Sequence, residues 1–366
     1  MMKASRSDTF MLRTWIQLLV LFVIMFVMSA ILPMAASVEG LGFPCYFPNL
    51  VDYSLLNLTL RNAAKHLTPT LFLEAPELFV YITWSVLVDL ASAIYYVVGA
   101  LAILQARKTH LTSMITLQTW INLVGSHTML FIGIARMWTL QLFIHVLSYK
   151  HVMLAAFIYF LHFCLSYMHT LSLVSRNSPK WSVVLMEQHI PKQSLLSTIL
   201  DYGKPLCVNM YLSLLALEML VFSLGFMMAI GNSFYILVSD TVLASINLYF
   251  VLTTFWYMMT EMFLQDYLKL QFGFYLGVFS GSLILLLPIL RYERVFVSAN
   301  LHKTVAVNIA MIPAMCVIAM MLRLFRYSQQ VRKPENSYTP LPKRFKKRRQ
   351  KQDQQLIMVE TSDEEL

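Results

Sequence analysis

Long apolar runs separated by short polar segments make up most of this chain. Eight runs are long enough to cross a bilayer, which requires about 20 apolar residues in a helix. Because lipid cannot satisfy free backbone groups, and because no run alternates like a barrel strand, each run is predicted to be an α-helix. The third run is the weakest, since Arg136 lies inside it and its start is blurred. The predicted spans are residues 14–36, 77–104, 121–146, 152–173, 207–230, 235–260, 272–290 and 304–322.

The composition agrees with this pattern and argues against other classes of protein. Of the 366 residues, 58% are hydrophobic and 13% are charged, whereas soluble domains have about 45–50% and about 25%. These values exclude an ordinary cytosolic enzyme, a disordered chain and a disulfide-dense secreted module. The sequence therefore predicts an all-α polytopic membrane protein with eight transmembrane helices.

The distribution of lysine and arginine predicts the orientation of the spans. With a cytosolic N-terminus, 21 of the 28 basic residues fall in cytosolic segments and 6 in external ones, and Arg136 lies within a span. Membrane proteins concentrate these residues on the cytosolic side, so we expect both termini to be cytosolic. The seventh loop, with Arg291, Arg294 and Lys303, runs against this trend.

The domain organisation follows from the same pattern. We expect a membrane domain over residues 1–325, with a first external loop at 37–76, and a disordered cytosolic tail with sorting signals at 326–366. The first span has an alternative interpretation as a signal peptide, because its start is basic and small residues follow it. Its apolar run is longer than a usual signal-peptide core, which favours an uncleaved anchor.

The first external loop carries two candidate modification sites. Cys45 is the one cysteine of four that falls in an external segment. In an oxidising compartment an unpaired cysteine suggests an intermolecular disulfide or a reactive thiol, although a buried free cysteine that packs as a small hydrophobe is the alternative. The same loop contains the chain's one N-glycosylation sequon, which begins at Asn57.

Ionisable side chains lie in or near several spans. A charge at the bilayer centre costs at least ~2.5 kcal/mol, so such groups are usually paired or functional. Asp89 and Arg136 form a possible buried pair on neighbouring helices, and an ion or substrate path is the functional alternative. His162 and His169 share a helix face, but two imidazoles make a weak metal site. We expect no metal and no cofactor. The remaining ionisable groups are Glu218, Asp240, Glu261, His127 and His145.

Three glycines repeat every fourth residue at the start of the seventh span. This spacing places Gly273, Gly277 and Gly281 on one stripe, where a neighbouring helix can approach closely. The sequence does not decide whether that neighbour belongs to the same bundle or to another chain.

The tail contains three short signals. Tyr338 and Leu341 fit the tyrosine-based sorting pattern that adaptors read. Residues 343–351 hold seven basic side chains, which bind anionic lipid or act as a positive-inside signal. The chain ends in an acidic cluster next to a hydroxyl group, whose phosphorylation would deepen its negative charge. That cluster is Ser362, Asp363, Glu364 and Glu365.

No catalytic motif is present, which argues against an enzyme. The sequence has no Gly-rich phosphate loop, no Ser–His–Asp spacing and no paired-cysteine metal motif. A transporter or a seven-helix receptor stays an alternative. Transporter marks such as inverted repeats with broken helices are absent, and the single external cysteine does not suit the usual receptor disulfide.

Several unusual strings resemble herpesvirus envelope glycoprotein M, and their detail is most similar to the gammaherpesvirus branch. The resemblance covers nearly the whole chain up to about residue 325, and the order of the strings and their loop positions also fit. The strings are LGFPCY at 41–46, VDYSLLNLT at 51–59, HLTPTLFLE at 66–74, GNSFY at 231–235, QFGFYLGVFSG at 271–281 and RYERVFVSANLHKTVAV at 291–307.

The resemblance implies a fold, a partner and a route through the cell. The family has eight spans with both ends cytosolic. A cysteine of its first external loop bridges to the small envelope glycoprotein N, and Cys45 is the position that matches. The family escorts this partner to the trans-Golgi network and acts in virion assembly, secondary envelopment, egress and modulation of fusion. Its expected locations are the virion membrane, Golgi, endosome and inner nuclear membranes. Sorting adaptors and tegument proteins are implied tail partners, and nucleic acid is not.

Overall fold

Helices account for nearly all of the residues that the computed structural model describes. The structure describes residues 6–36, 72–73, 75–109, 114–149, 151–175, 190–191, 194–263 and 272–332, and those ranges contain no strand. The α-helices are α1 (Arg6–Ala36), α2 (Ala75–Thr109), α3 (Met114–Gly125), α4 (His127–Ser148), α5 (Val152–Ser175), α6 (Leu195–Thr198), α7 (Lys204–Ser233), α8 (Val238–Met262), α9 (Gly273–Arg291), α10 (Glu293–Ser298) and α11 (His302–Arg332). A π-helical turn (Ile199–Gly203) joins α6 to α7.

Within the described ranges, eight helical segments are long and apolar enough to cross a membrane, which confirms the predicted all-α, eight-span fold. The third segment consists of α3 and α4, which meet at Ser126. The Ser126 side chain accepts a hydrogen bond from the Met129 amide at 3.3 Å and so caps the start of α4. Amides at a helix start have no partner in the helix, and a serine oxygen can accept from one of them. Such a polar residue also lowers the apolarity of the run. The blurred start of the third span therefore marks a break between two helices.

The fifth span, which contains α7, lies at the centre of the bundle. Helix α7 packs against α2, α5, α8 and α9. In the most apolar stretch of this span 83% of the residues are buried, compared with 17% for α1 and 22% for α11. A helix that is apolar on all sides is suited to a position surrounded by other helices.

Helix α11 continues past residue 325, while the predicted boundary between the membrane domain and the tail stays a prediction. The chain divides into two units, residues 1–320 and 321–366. In the second unit, residues 321–332 are helical and form the end of α11. No glycine or proline occurs between Pro313 and Pro334, so nothing in the backbone ends the helix at 325. The cytosolic location of both termini stays a prediction.

Candidate functional site

Three charged side chains from three helices meet inside the bundle. The Arg136 guanidinium of α4 donates through Nη2 to Asp89 Oδ1 of α2. Its Nη1 lies 3.5 Å from Glu218 Oε1 of α7. All three side chains are at most 1% exposed. The structure thus brings together Asp89 and Arg136 and adds Glu218 as a second carboxylate; we call these three residues and His162 the charge cluster.

Helix α5 completes the charge cluster through His162. Its Nε2 atom lies 3.3 Å from Glu218 Oε1, and its Nδ1 atom lies 3.0 Å from the Arg136 carbonyl oxygen. One turn further along, the Ser166 hydroxyl donates to Glu218 Oε2. The cluster therefore links α2, α4, α5 and α7, and charged or polar donors surround Glu218.

Aromatic rings pack beside the charge cluster. The Tyr211 ring of α7 faces the Arg136 guanidinium, with 5.4 Å between the ring centroid and Cζ. The His169 ring packs edge-on against the same tyrosine at a centroid distance of 4.7 Å. A guanidinium over an aromatic ring is attracted to the negative face of that ring, and the attraction is stronger where water is excluded. His162 and His169, which share a face of α5, thus contact different groups.

The glycine stripe packs within the bundle. A Cβ atom added to Gly273 would overlap the Asn209 carbonyl of α7, and one added to Gly277 would overlap the Ser213 carbonyl. A Cβ atom at Gly281 would lie 2.7 Å from the Tyr249 hydroxyl of α8. These glycines therefore allow α9 to approach its neighbours closely, as small residues do between membrane helices.

The end of the first predicted external loop docks onto the segment between α9 and α11. The buried Phe72 ring lies 6.0 Å from the rings of Tyr292 and Phe296, measured between centroids. Nearby, Arg291 Nη2 donates to Glu77 Oε1 at 3.0 Å, and the Glu77 side chain is 1% exposed. A buried carboxylate requires such a partner. This pair accounts for one basic residue of the seventh loop that ran against the charge trend.

The other predicted site residues lie outside the described residues. They are Cys45, Asn57, Tyr338, Leu341, Ser362, Asp363, Glu364 and Glu365. Their assignments stay predictions.

Sequence reasoning did not identify Glu218 and His162 as partners of Arg136. Both were visible as polar residues within predicted spans. Their contact depends on packing between helices that are 82 and 26 residues from Arg136 along the chain. The charges within the predicted spans are the sequence feature that could have identified this site. One arginine and two acids within the membrane favour a shared site, because each is costly alone.

Comparison with known proteins identifies relatives over the full length of the chain. The family profile described as herpesvirus glycoprotein M matches residues 8–341. The chain is 98% identical over 366 residues to an envelope glycoprotein M of Saimiriine herpesvirus 2 (strain 11), covering 100% of both chains. It is 54% identical to the protein of that name from Human herpesvirus 8 type P (isolate GK18), covering 93% of this chain and 85% of the relative. The protein of that name from Epstein-Barr virus (strain B95-8) is 50% identical, with coverages of 93% and 84%. No solved structure matches the chain.

Proposed function

Because the chain belongs to the herpesvirus glycoprotein M family, we propose that it forms a disulfide-linked complex with envelope glycoprotein N and directs that partner to the trans-Golgi network. In this role it supports virion assembly, secondary envelopment and egress. Family membership makes the chain a multi-pass protein of the viral envelope. The observation that carries the finer proposal is the extent of the match, since residues 8–341 include Cys45, Tyr338 and Leu341.

The packing of the bundle supports a scaffold role. The loop that contains Cys45 leads to Phe72, whose ring is buried against Tyr292 and Phe296. Helix α2 then starts beside the Glu77–Arg291 ion pair. The C-terminal end of this loop is thus fixed to the bundle at two adjacent points. These two contacts are buried, and they support a bundle that could serve as a scaffold for a bound partner.

We expect Cys45→Ser to abolish the covalent complex with glycoprotein N. The other cysteines, Cys164, Cys207 and Cys316, lie in spans as free thiols and are poorly placed to bridge an ectodomain. The measurement is a non-reducing gel of the tagged chain from infected cells, with mass spectrometry of any band that shifts on reduction. Cys207→Ser, at a buried position, is the matched control and should retain the mixed dimer.

Two outcomes of this experiment are informative. An unchanged mixed dimer in Cys45→Ser would show that the bridge uses another residue. Loss of the covalent band with continued co-precipitation after reduction would indicate that contacts besides the disulfide hold the partner.

We expect Tyr338→Ala to shift the complex from the Golgi to the cell surface. Adaptors that read a tyrosine-based signal require the ring and the apolar residue three positions later, so removal of the ring removes the signal. Surface biotinylation should show a several-fold rise in the exposed fraction. Tyr327→Ala is the control, because Gln330 and not an apolar residue follows it at that spacing. Equal surface fractions in Tyr338→Ala and wild type would remove this motif from the mechanism.

The charge cluster is the observation that favours transport as a second candidate function. Charged groups within a membrane bundle mark ion pathways in many transporters. Here, however, the Asp89 and Glu218 carboxylates are engaged by Arg136, His162 and Ser166. A junction that joins four helices accounts for these contacts without a transported ion.

A further inference from the structure

A cleft of about 410 Å³ lies between α9 and α11, with α10 at one end. This volume is in the range of small-molecule sites, which are mostly apolar and carry a few polar groups. Three of the described lining residues are polar: Ser282, Glu293 and His302. The Ser282 hydroxyl donates to the Val278 carbonyl of its own helix at 2.8 Å. The polar groups that are left for a ligand therefore lie at the α10 end.

The cleft opens towards the bilayer. Leu283 and Leu290 line it, and these side chains are 64% and 62% exposed. Ile289 and Val305, which are buried, lie deeper in the cleft. Hydrocarbon surrounds the spans of a membrane protein, so a cleft that opens sideways between two spans takes its occupant from the lipid phase.

The polar end of the cleft favours a lipid with a hydroxyl head over a phospholipid. His302 Nε2 lies 3.1 Å from Glu293 Oε1, and both side chains are about half exposed. A hydroxyl group both donates and accepts, so it can bind a carboxylate and an imidazole N–H at the same time. A phosphate would be repelled by Glu293, and the described lining includes no lysine or arginine to bind it.

The walls of the cleft differ in shape. The α11 wall carries small side chains about one helical turn apart, at Ala306, Ala310 and Pro313. The α9 wall carries branched side chains at Leu283, Leu286 and Leu290. From His302 to Pro313 the helix rises by about 16 Å.

A sterol fits these features together. It has one flat face, one face that bears methyl groups, a rigid ring system and a single hydroxyl at one end. We propose that the cleft binds one sterol molecule, with its hydroxyl at Glu293 and His302 and its flat face against the alanines of α11. The rings and the short branched tail then extend along the apolar walls towards Pro313.

Photo-crosslinking of the full chain tests this site. The chain is placed in phosphatidylcholine nanodiscs with a diazirine-bearing cholesterol, irradiated and analysed by peptide mass spectrometry. We expect most of the label between residues 279 and 313, and a several-fold decrease when excess cholesterol is added. Cholesterol methyl ether should compete less well, because it has no hydroxyl proton to donate to Glu293.

A cavity-filling variant locates the binding more precisely. Ala310 is exposed to the cleft, so Ala310→Leu should lower the labelling several-fold and leave the melting temperature unchanged. Ala314→Leu is the matched control, because Ala314 is an exposed residue of the same helix that does not line the cleft. If Ala310→Leu does not fold, the competition experiment on wild type decides.

Three results would overturn the proposal. Label that is spread evenly over the lipid-facing sides of all spans would show that the sterol has no specific site. Equal labelling of residues 279–313 by a photoreactive phosphatidylcholine would assign the cleft to an acyl chain. A dimeric chain that stays unlabelled in this segment would indicate that a second copy covers the cleft.

Discussion

We expect Arg136→Met to lower the free energy of unfolding by about 3–5 kcal/mol, which is the usual effect of removing one partner from a buried ion pair. The methionine fills part of the volume, but it leaves Asp89 without its cation and removes one of the donors to Glu218. The yield of monodisperse chain after detergent extraction and its melting temperature should both fall sharply. Arg294→Met, an exposed change on α10, is the matched control.

A second variant separates charge from packing in this prediction. Asp89→Asn combined with Arg136→Met removes one charge of each sign, and it leaves Glu218 beside His162. Replacing a complete buried pair by neutral groups is often close to neutral in stability, so this double variant should recover most of the loss. Failure to recover would assign the effect to the packing of the arginine side chain, including its contact with Tyr211, and not to charge.

The number and type of spans could be predicted because lipid acts on each segment separately. A helix of about 20 apolar residues satisfies its own backbone and requires no knowledge of its neighbours. The ends of the spans were predicted less well, because the argument from apolarity does not detect helix that continues into more polar sequence. The fifth span begins at Leu195 and not at Cys207, because α6 and the π-helical turn extend it with a more polar sequence.

The contacts of the charge cluster depend on tertiary structure and were only partly predictable. Asp89 and Arg136 attract attention because each is costly alone in a membrane. Nothing in the local sequence indicates that Glu218 faces the same point, because the arrangement of α4, α5 and α7 in the bundle decides which side chains meet. His162 joins the cluster through its contacts with the Arg136 carbonyl oxygen and with Glu218 Oε1. These contacts form only when the helices pack together.

The glycine stripe illustrates the same division between local and tertiary information. Spacing alone predicts a surface that another helix can approach closely, and it does not say which helix. The structure shows that α7 carbonyls and the Tyr249 hydroxyl occupy the space over the stripe. The stripe is therefore covered within the bundle.

We expect Gly277→Ala to destabilise the bundle by about 1–3 kcal/mol or more, as overpacking does in a rigid interior. The added methyl would overlap the Ser213 carbonyl oxygen and would lie 2.8 Å from the Ala216 Cβ atom. Backbone and Cβ atoms cannot rotate away, so α9 must move from α7. Gly203→Ala is the matched control, because its nearest neighbour there is Tyr95 Cδ2 at 3.4 Å, and alanine favours helix by up to about 1 kcal/mol.

The two glycine variants should therefore change the melting temperature in opposite directions or leave only Gly277→Ala affected. Equal melting temperatures would mean that α9 packs less closely on α7 than the structure indicates.

The same variants also distinguish packing within the bundle from packing between chains. If the stripe acts within the bundle, Gly277→Ala reduces the amount of folded chain, while each folded molecule still forms the proposed disulfide through Cys45. A selective loss of the mixed dimer at normal levels of folded chain would instead place the partner's helix on the stripe.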